Sequence, residues 1–286
     1  PTAANAAEYA ALVAQTARRR ELKEALEEGL RGLAEHEAED TVLTRLDAAM
    51  AASAQRTESE LAAPKELADS FLAYRERIDE GAAPYVRTGV KALDKLLGGG
   101  MVQGGLYILA GRPGMGKSAL GIAIAEHVAQ TVGRVDYFSL EMSRAQIMAR
   151  RLASIGKVDS NRILMDSLTP EEYKRMIDAT RQAASTPLYA TDGQAQSAQR
   201  ITAIARAGRD VKLAVVDHFG LILRPGKRQD ADESREIAHA LKRLAQSLNQ
   251  PVLCLAQLNR QNEQRSDKRP TLADLRATGA MEEDAD

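Results

Sequence analysis

Apolar residues recur every three or four positions through the first part of the chain, which is the spacing of an amphipathic helix. The first such set is Tyr9, Leu12, Val13, Leu22, Leu26, Leu30 and Leu33. Gly29 and Gly32 weaken the helical pattern at the end of this set. A second set follows, and its members are Val42, Leu43, Leu46 and Met50. Residues 1–60 are therefore predicted to form two helices packed as an antiparallel hairpin, the second starting at Asp40 or Thr41.

Residues 61–84 are predicted to be a linker that contains one short amphipathic helix. Pro64 and Pro84 flank this stretch, and Gly81 is suited to ending the helix. Between them, apolar side chains fall at helical spacing at Leu67, Phe71, Leu72, Tyr74 and Ile78. Such a face packs against another surface. The sequence leaves open whether that surface belongs to the same chain or to a neighbouring subunit.

The pattern changes at about residue 85, where short β-prone runs begin to alternate with helical stretches. Strands are predicted over 106–110, 135–140, 213–217 and 252–256. Helices are predicted over 117–131, 143–155, 170–184, 197–208 and 234–249, two of them with capping boxes at their starts. Alternating strands and helices imply right-handed crossovers. Residues 85–286 are therefore predicted to form an α/β domain with a doubly wound, mostly parallel sheet and helices on both faces.

Composition narrows the class of protein. The chain has 39 basic and 40 acidic residues and a formal net charge of −1, so nucleic-acid binding would require a local basic patch. Aromatic residues make up only 3% of the chain, which argues against a platform of rings for stacking bases. The one cysteine, Cys254, is expected to be a buried thiol. Because the chain shows no membrane-length apolar run and no leader-like N-terminus, a cytoplasmic location is expected.

A phosphate-binding motif follows the first predicted strand. Residues 111–118 match G-x-x-x-x-G-K-[ST] and are Gly111, Arg112, Pro113, Gly114, Met115, Gly116, Lys117 and Ser118. Glycines let backbone amides turn toward a phosphate, and the helix that follows directs its positive end at the same anion. We expect Lys117 to reach the β- and γ-phosphates of ATP and the Ser118 hydroxyl to bind Mg²⁺.

Three further polar residues lie at the ends of predicted strands. Beside a phosphate loop, Asp217 is favoured as the acid on the metal side over a simple turn residue. By spacing, Glu141 is equally suited to orienting the attacking water and to interacting with the dipole of the following helix. Gln257 either senses the γ-phosphate or merely ends its strand, and spacing alone favours the second reading.

These motifs together resemble the DnaB-type replicative helicases, which are RecA-like ATPases. The resemblance covers about residues 85–286. It rests on residues 110–118, Phe138-Ser-Leu-Glu-Met142, Ala256-Gln-Leu-Asn-Arg260, Asp267-Lys-Arg-Pro270, Asp274-Leu-Arg276 and the closing residues 281–286. The first motif alone occurs in many nucleotidases, whereas the ordered series is specific. Residues 9–53 are also similar to the family's collar hairpin and residues 66–79 to its linker helix, so residues 1–60 are read as a partial collar domain.

The resemblance implies a role for each candidate residue. Glu141 would be the catalytic base, acting with Lys117, Asp217 would be the metal-side acid, and Gln257 would link the γ-phosphate to the DNA-binding surface. A basic loop, by itself an ordinary solvated turn, would face the bore of a ring and hold single-stranded DNA by its phosphates through Arg224, Lys227 and Arg228. The chain is then expected to act as an ATP- and Mg²⁺-dependent helicase in a homo-hexamer, with primase and a helicase loader as candidate partners.

The sequence departs from the family pattern after Asp217. There the family has an aromatic residue and then Gln, whereas this chain has His218, Phe219 and Gly220. His218 is read as a structural strand-end histidine or as a ligand or base, and Gly220 removes an amide that would help to couple ATP to DNA. Because the family's preceding bundle, second DNA loop and arginine finger are not found, the chain is interpreted as truncated at both ends. It is expected to bind nucleotide but hydrolyse it slowly.

Two other functions remain open from the sequence. A RecA-like recombinase or clock-type ATPase shares the phosphate loop but does not account for the helical collar and linker. A nucleotide-switched assembly module that recruits primase or a loader accounts for both segments. It differs from a helicase because ATP serves it as an assembly signal, so turnover of ATP distinguishes the two.

Overall fold

A computed structural model of the chain describes residues 3–55, 63–80, 83–193, 196–223, 231–258, 269–271, 274–275 and 283–286. The chain divides into two compact units, residues 1–82 and residues 83–286. Within the described residues, no helix combines the length and the apolar character needed to cross a membrane.

The regular elements of the first unit, among its described residues, are three helices: α1 (Ala3–Ala34), α2 (Glu39–Gln55) and α3 (Pro64–Asp79). The predicted antiparallel hairpin of α1 and α2 is confirmed. Gly29 and Gly32 both lie within α1, and α2 packs directly on them. A β-carbon on Gly29 would lie 3.3 Å from the Leu46 side chain, and one on Gly32 would lie 3.2 Å from Val42. They therefore allow the close approach of the two helices.

The second unit contains seven strands and seven α-helices among its described residues. Its strands are β1 (Tyr85–Val86), β2 (Met101–Val102), β3 (Leu106–Gly111), β4 (Val135–Ser139), β5 (Leu188–Ala190), β6 (Leu213–Asp217) and β7 (Val252–Gln257). Its helices are α4 (Lys91–Leu96), α5 (Lys117–Thr131), α6 (Arg144–Gly156), α7 (Ser160–Met165), α8 (Pro170–Ser185), α9 (Ala198–Ala207) and α10 (Ala231–Leu248). The four predicted strands and five predicted helices are confirmed with small shifts at their ends.

Five parallel strands form the main sheet in the order β3-β7-β6-β4-β5. Strand β3 therefore lies at one edge of the sheet. Helix α5 connects it to β4, and strands β7 and β6 lie between these two. Their ends are also in register, with Gly111 opposite Gln257 and Ser139 opposite Asp217. This alignment brings the carboxyl ends of four strands to one edge, where open α/β sheets bind their ligands.

Helices cover both faces of the sheet, as the doubly wound prediction required. One apolar cluster joins Ala214 and Val216 of β6 to α9 and α10. The other joins Leu213 and Val215 of the same strand to α5. Successive side chains of a strand point to opposite faces, so a strand buried on both sides needs the near-continuous apolar sequence seen here.

Several short elements were not predicted from the sequence. Strand β5 has only three residues at the edge of the sheet and none of them is fully buried. The paired strands β1 and β2 have two residues each, and α4 and α7 have six each. Elements this short carry too few residues to establish a period. Both predicted capping boxes are confirmed: Ser143 accepts from Gln146 N at the start of α6, and Thr169 accepts from Glu172 N at the start of α8.

Candidate functional site

The phosphate-loop motif joins the end of β3 to the start of α5. Gly114 and Gly116 have φ angles of 77° and 84°, the left-handed region that glycine adopts at low cost. A β-carbon at either position would meet no atom within 4 Å, so the backbone conformation, rather than crowding, requires glycine there. The first helical residues after the loop are Lys117 and Ser118, which places both side chains at the positive end of α5.

A cavity of about 670 Å³ opens beside this loop. Of the sequence-predicted residues, its wall includes Arg112, Pro113, Gly114, Gly116, Lys117, Ser118, Glu141 and Gln257. The remaining two members of the loop, Gly111 and Met115, border a second, more apolar cavity of about 480 Å³, together with Leu258 and Pro270. The structure thus brings most of the predicted site to one cavity at the carboxyl edge of the sheet.

A closed turn at the end of β4 fixes the position of Glu141. The Ser139 hydroxyl donates to the Met142 carbonyl at 2.7 Å and accepts from the Met142 amide at 3.0 Å. The Leu140 amide donates to the carbonyl of Asp217 on the next strand at 2.7 Å. Glu141 lies between these two anchored residues, and its side chain is 59% exposed. Its carboxylate therefore faces the open cavity instead of capping α6, whose first turn is capped by Ser143.

Asp217 is completely buried at the end of β6 and does not itself line the cavity, although the next residue, His218, does. Its Oδ2 atom accepts a hydrogen bond of 2.8 Å from the Tyr137 hydroxyl, while Oδ1 has no hydrogen-bond partner among the described residues. An unpaired buried carboxylate oxygen is costly unless a ligand or water satisfies it. The residues present fit Mg²⁺, which prefers oxygen ligands and keeps several of its waters.

The described residues contain no cluster of three or more His, Cys, Asp or Glu side chains able to hold a metal. An all-protein cage is therefore absent from this part of the chain. The Ser118 hydroxyl and the Asp217 carboxylate are instead suited to a cation that is bound by the protein and by nucleotide phosphates together.

His218 lines the same cavity as the phosphate loop and Glu141. Its Nδ1 atom accepts from the Gly220 amide at 3.2 Å, which assigns the ring hydrogen to Nε2. Nε2 lies 3.7 Å from Oε2 of Glu141. Burial, and then the Lys117 ammonium, lower the pKa of His218, so the ring is neutral near pH 7. His218 thus combines the structural role with a place in the cavity wall, and Gly220 supplies its backbone amide to this arrangement.

Arg150 also lines the cavity, although the sequence analysis did not single it out. It lies on α6, seven residues after the cap Ser143, and therefore on the same face of the helix. Its neighbour Arg151 points the other way, into a buried ion pair with Glu126. The helical spacing from the cap was a signal that could have identified Arg150. The predicted DNA-binding residues Arg224, Lys227 and Arg228 fall outside the described residues.

Comparison with known proteins gives a consistent family assignment. The family model for the DnaB-like helicase C-terminal domain matches residues 85–286. The replicative DNA helicase DnaB of Geobacillus stearothermophilus is 32% identical over all of this chain and 65% of its own length. The replicative DNA helicase DnaC of Bacillus subtilis is 30% identical over the same shares. The chain thus spans about 65% of the length of these two curated relatives.

Solved structures agree on the fold. One solved ATPase domain superposes with a TM-score of 0.68 at 26% identity, covering 76% of this chain and 80% of that one. A DnaB-like replicative helicase, described with its interactions with primase, superposes with a TM-score of 0.73 over 98% of this chain and 66% of that one. At 23% identity, the second likeness bears on the fold alone. The RecA-like sheet and the resemblance seen in the sequence are confirmed, and the chain belongs to the family of DnaB-like helicases.

Proposed function

We propose that the chain is the ATP-hydrolysing part of a replicative DNA helicase that moves along single-stranded DNA as a ring. One observation carries the proposal: the ends of β3, β4 and β7 bring the phosphate loop, Glu141 and Gln257 to a single cavity, and the buried Asp217 ends β6 between β4 and β7. Hydrolysis of a nucleoside triphosphate uses four groups around its terminal phosphates: a loop that binds phosphate, a base for the attacking water, a residue that senses the γ-phosphate and an acid on the metal side.

Each residue has a distinct part in this proposal. Backbone N–H groups of residues 114–116 and the Lys117 ammonium hold the β- and γ-phosphates of ATP. Ser118 and Asp217 hold Mg²⁺, which, when bound, neutralises charge that develops on the phosphate oxygens. Asp217 acts through the Oδ1 atom that has no protein partner among the described residues.

Glu141 is proposed as the base that orients the attacking water and accepts its proton. Its carboxylate is exposed to the cavity and is held on a turn closed at both ends. Nε2 of His218 lies 3.7 Å from the same carboxylate, which is longer than a hydrogen bond. Gln257 ends β7 at the register position of Gly111, so its amide can respond to the γ-phosphate and transmit that state along β7.

The helical first unit is proposed to assemble the ring. We assign residues 1–60 to a partial collar domain, residues 61–84 to a linker and residues 85–286 to the ATPase domain. The linker helix α3 contains no buried residue, and its apolar side chains Leu67, Phe71 and Leu72 are about 60% exposed. An exposed apolar face of this kind is suited to packing on a second copy of the chain, as a hexamer would provide.

Partners and location follow from the same proposal. Single-stranded DNA would be held by the basic loop at Arg224, Lys227 and Arg228 through phosphate contacts that do not read sequence. Primase and a helicase loader are proposed protein partners; the solved relative described with primase supports the first. The buried lone thiol of Cys254 agrees with a reducing compartment, and we place the activity in the cytoplasm.

The deciding experiment is strand displacement on a forked DNA duplex by the complete protein that contains this chain. ATP and Mg²⁺ together should release the displaced strand, and a non-hydrolysable ATP analogue should not. The matched control is Glu141→Gln, which keeps the size of the side chain and removes the base. It should bind nucleotide and assemble like the wild type but release no strand. Nucleotide-dependent assembly without ATP turnover would instead support an assembly module and overturn the helicase proposal.

A further inference from the structure

Tyr137 is a polar residue in the interior of strand β4, every residue of which is buried. The ring is 1% exposed and packs in the apolar cluster between the sheet and α5. A buried phenol needs a hydrogen-bond partner, and the Tyr137 hydroxyl finds it in Oδ2 of Asp217 at 2.8 Å. The hydrogen bond crosses from β4 to β6, where Tyr137 lies opposite Val215, two residues before Asp217.

The direction of this hydrogen bond follows from the two groups that form it. The phenol O–H donates and the carboxylate oxygen accepts. Because a carboxylate rotates as a unit, fixing Oδ2 also fixes the position of Oδ1.

The two oxygens of Asp217 consequently have different environments. Oδ2 is satisfied by the phenol, whereas Oδ1 is buried and has no partner among the described residues. By the alternation of side chains along β6, Asp217 projects to the same face as Leu213 and Val215, which is the face covered by α5. That helix begins with Lys117 and Ser118. The side chain of Asp217, and Oδ1 with it, therefore lies on the face of the sheet covered by the helix that follows the phosphate loop.

From this arrangement we propose that Tyr137 is a positioning residue for metal binding: its hydroxyl occupies Oδ2 of Asp217 and so presents Oδ1 to the hydrated magnesium ion of a bound nucleotide. The inference rests on the proposed function, because it assumes that Asp217 is the metal-side acid. It adds a residue outside every motif used to assign that function. Groups that orient a metal-binding carboxylate typically contribute about 10- to 100-fold to metal affinity or activity.

The test measures how strongly Mg²⁺ and nucleotide favour each other's binding. The affinity of the chain for a fluorescent ADP analogue is determined in excess Mg²⁺ and again in EDTA, and the ratio of the two dissociation constants reports the coupling. In Tyr137→Phe the ratio should fall about 10-fold, the lower end of that range. The affinity measured in EDTA should stay within about two-fold of the wild type.

Tyr107→Phe is the matched control. Tyr107 lies on β3 of the same sheet, and its hydroxyl accepts from the Val102 amide at 2.8 Å, away from Asp217. This variant also loses one phenol oxygen and should keep the wild-type ratio. In an Asp217→Asn background, Tyr137→Phe should have no further effect on the ratio, because the group that it positions has been removed.

The outcomes separate this inference from the proposed function. If the wild type shows no coupling between Mg²⁺ and nucleotide, the assignment of the metal site fails. If the wild type shows coupling and Tyr137→Phe retains it within about two-fold, only the role of Tyr137 is overturned. Should Tyr137→Phe not fold, Tyr137→Leu replaces it with the same expected ratio. Failure of both variants to fold would show that the hydroxyl serves stability instead, which also overturns the inference.

Discussion

Arg151 and Glu126 form a buried ion pair, with Nε 2.7 Å from Oε2 and the two side chains 5% and 8% exposed. A second nitrogen of Arg151 donates to the carbonyl of Ala183 at 3.1 Å. The pair connects α5, which begins at the phosphate loop, to α6, which follows Glu141, and the carbonyl adds the end of α8. The two helices that line the cavity beside the phosphate loop are therefore held together by charges shielded from water.

Removing one partner of this pair should destabilise the second unit severely. In Arg151→Met, the Glu126 carboxylate remains buried without its charge partner, which typically costs about 3–5 kcal/mol. The loss is measured as the change in the free energy of unfolding in urea. The exposed pair of Arg181 and Asp178 on α8 provides the control. Arg181→Met should change that free energy by less than about 1 kcal/mol. Equal effects of the two substitutions would contradict the importance of burial.

Lys117→Ala is expected to abolish measurable nucleotide binding. The ammonium lies at the start of α5, and charge-assisted hydrogen bonds to phosphate contribute about 1.5–3 kcal/mol each. Two such bonds correspond to a loss of at least about 100-fold in affinity, measured by titration with a fluorescent ATP analogue.

The control for this substitution is Lys174→Ala, which removes an exposed lysine from α8, outside the cavity wall. It should bind the analogue like the wild type. If Lys117→Ala kept wild-type affinity while remaining folded, the phosphate-loop assignment would be wrong.

The parts of the site that the sequence predicted are those encoded in a local pattern. Lys117 belongs to a contiguous motif, and Asp217 and Gln257 each end an apolar run, so a prediction of parallel strands already brings them to one edge. The functional roles of these three residues remain predictions. Their positions are observed: Lys117 begins α5, Asp217 ends β6 and Gln257 ends β7. The same reasoning predicted the doubly wound sheet, because strand and helix periods are local properties.

The parts that the sequence did not predict depend on which strands are neighbours. The hydrogen bond between Tyr137 and Asp217 spans 80 residues and exists only because β4 pairs with β6. The same pairing sets His218 beside Glu141. No local pattern encodes the strand order, so these interactions become visible only when the sheet is assembled. Glycines in α1 were likewise read as helix-weakening, because the helix that packs on them lies further along the chain.

Cys254 is expected to resist thiol reagents in the folded protein. The residue is completely buried in strand β7, which lies between β3 and β6, and burial raises the pKa of its thiol far above the ordinary value. Because the thiolate is the reactive form, Ellman's reagent should modify Cys254 only after the protein unfolds. The rate should be negligible without denaturant and rise with the unfolded fraction in urea. Rapid modification of the folded chain at neutral pH would contradict the observed packing of β7.

Reversing the charges at Arg224, Lys227 and Arg228 is expected to weaken binding of single-stranded DNA by the complete, assembled protein. Each phosphate interaction that the variant removes should reduce the slope of log affinity against log salt by about 0.7, so three such interactions would flatten the slope by about 2. Fluorescence anisotropy with a labelled oligonucleotide at several salt concentrations measures both quantities. Since phosphate interactions do not read bases, the affinity for oligonucleotides of different sequence should fall equally.

The control for the DNA loop is the same triple charge reversal on the exposed side of α8, at Lys174, Arg175 and Arg181. Both variants change the net charge by the same amount, so a general repulsion of DNA would affect them alike. The loop variant should lose affinity and salt dependence, and the α8 variant should lose little of either. ATP turnover without DNA should match the wild type in the α8 variant, because Lys174, Arg175 and Arg181 do not line the cavity beside the phosphate loop. If the two variants bind DNA equally well, the loop is an ordinary solvated turn and DNA is held elsewhere on the ring.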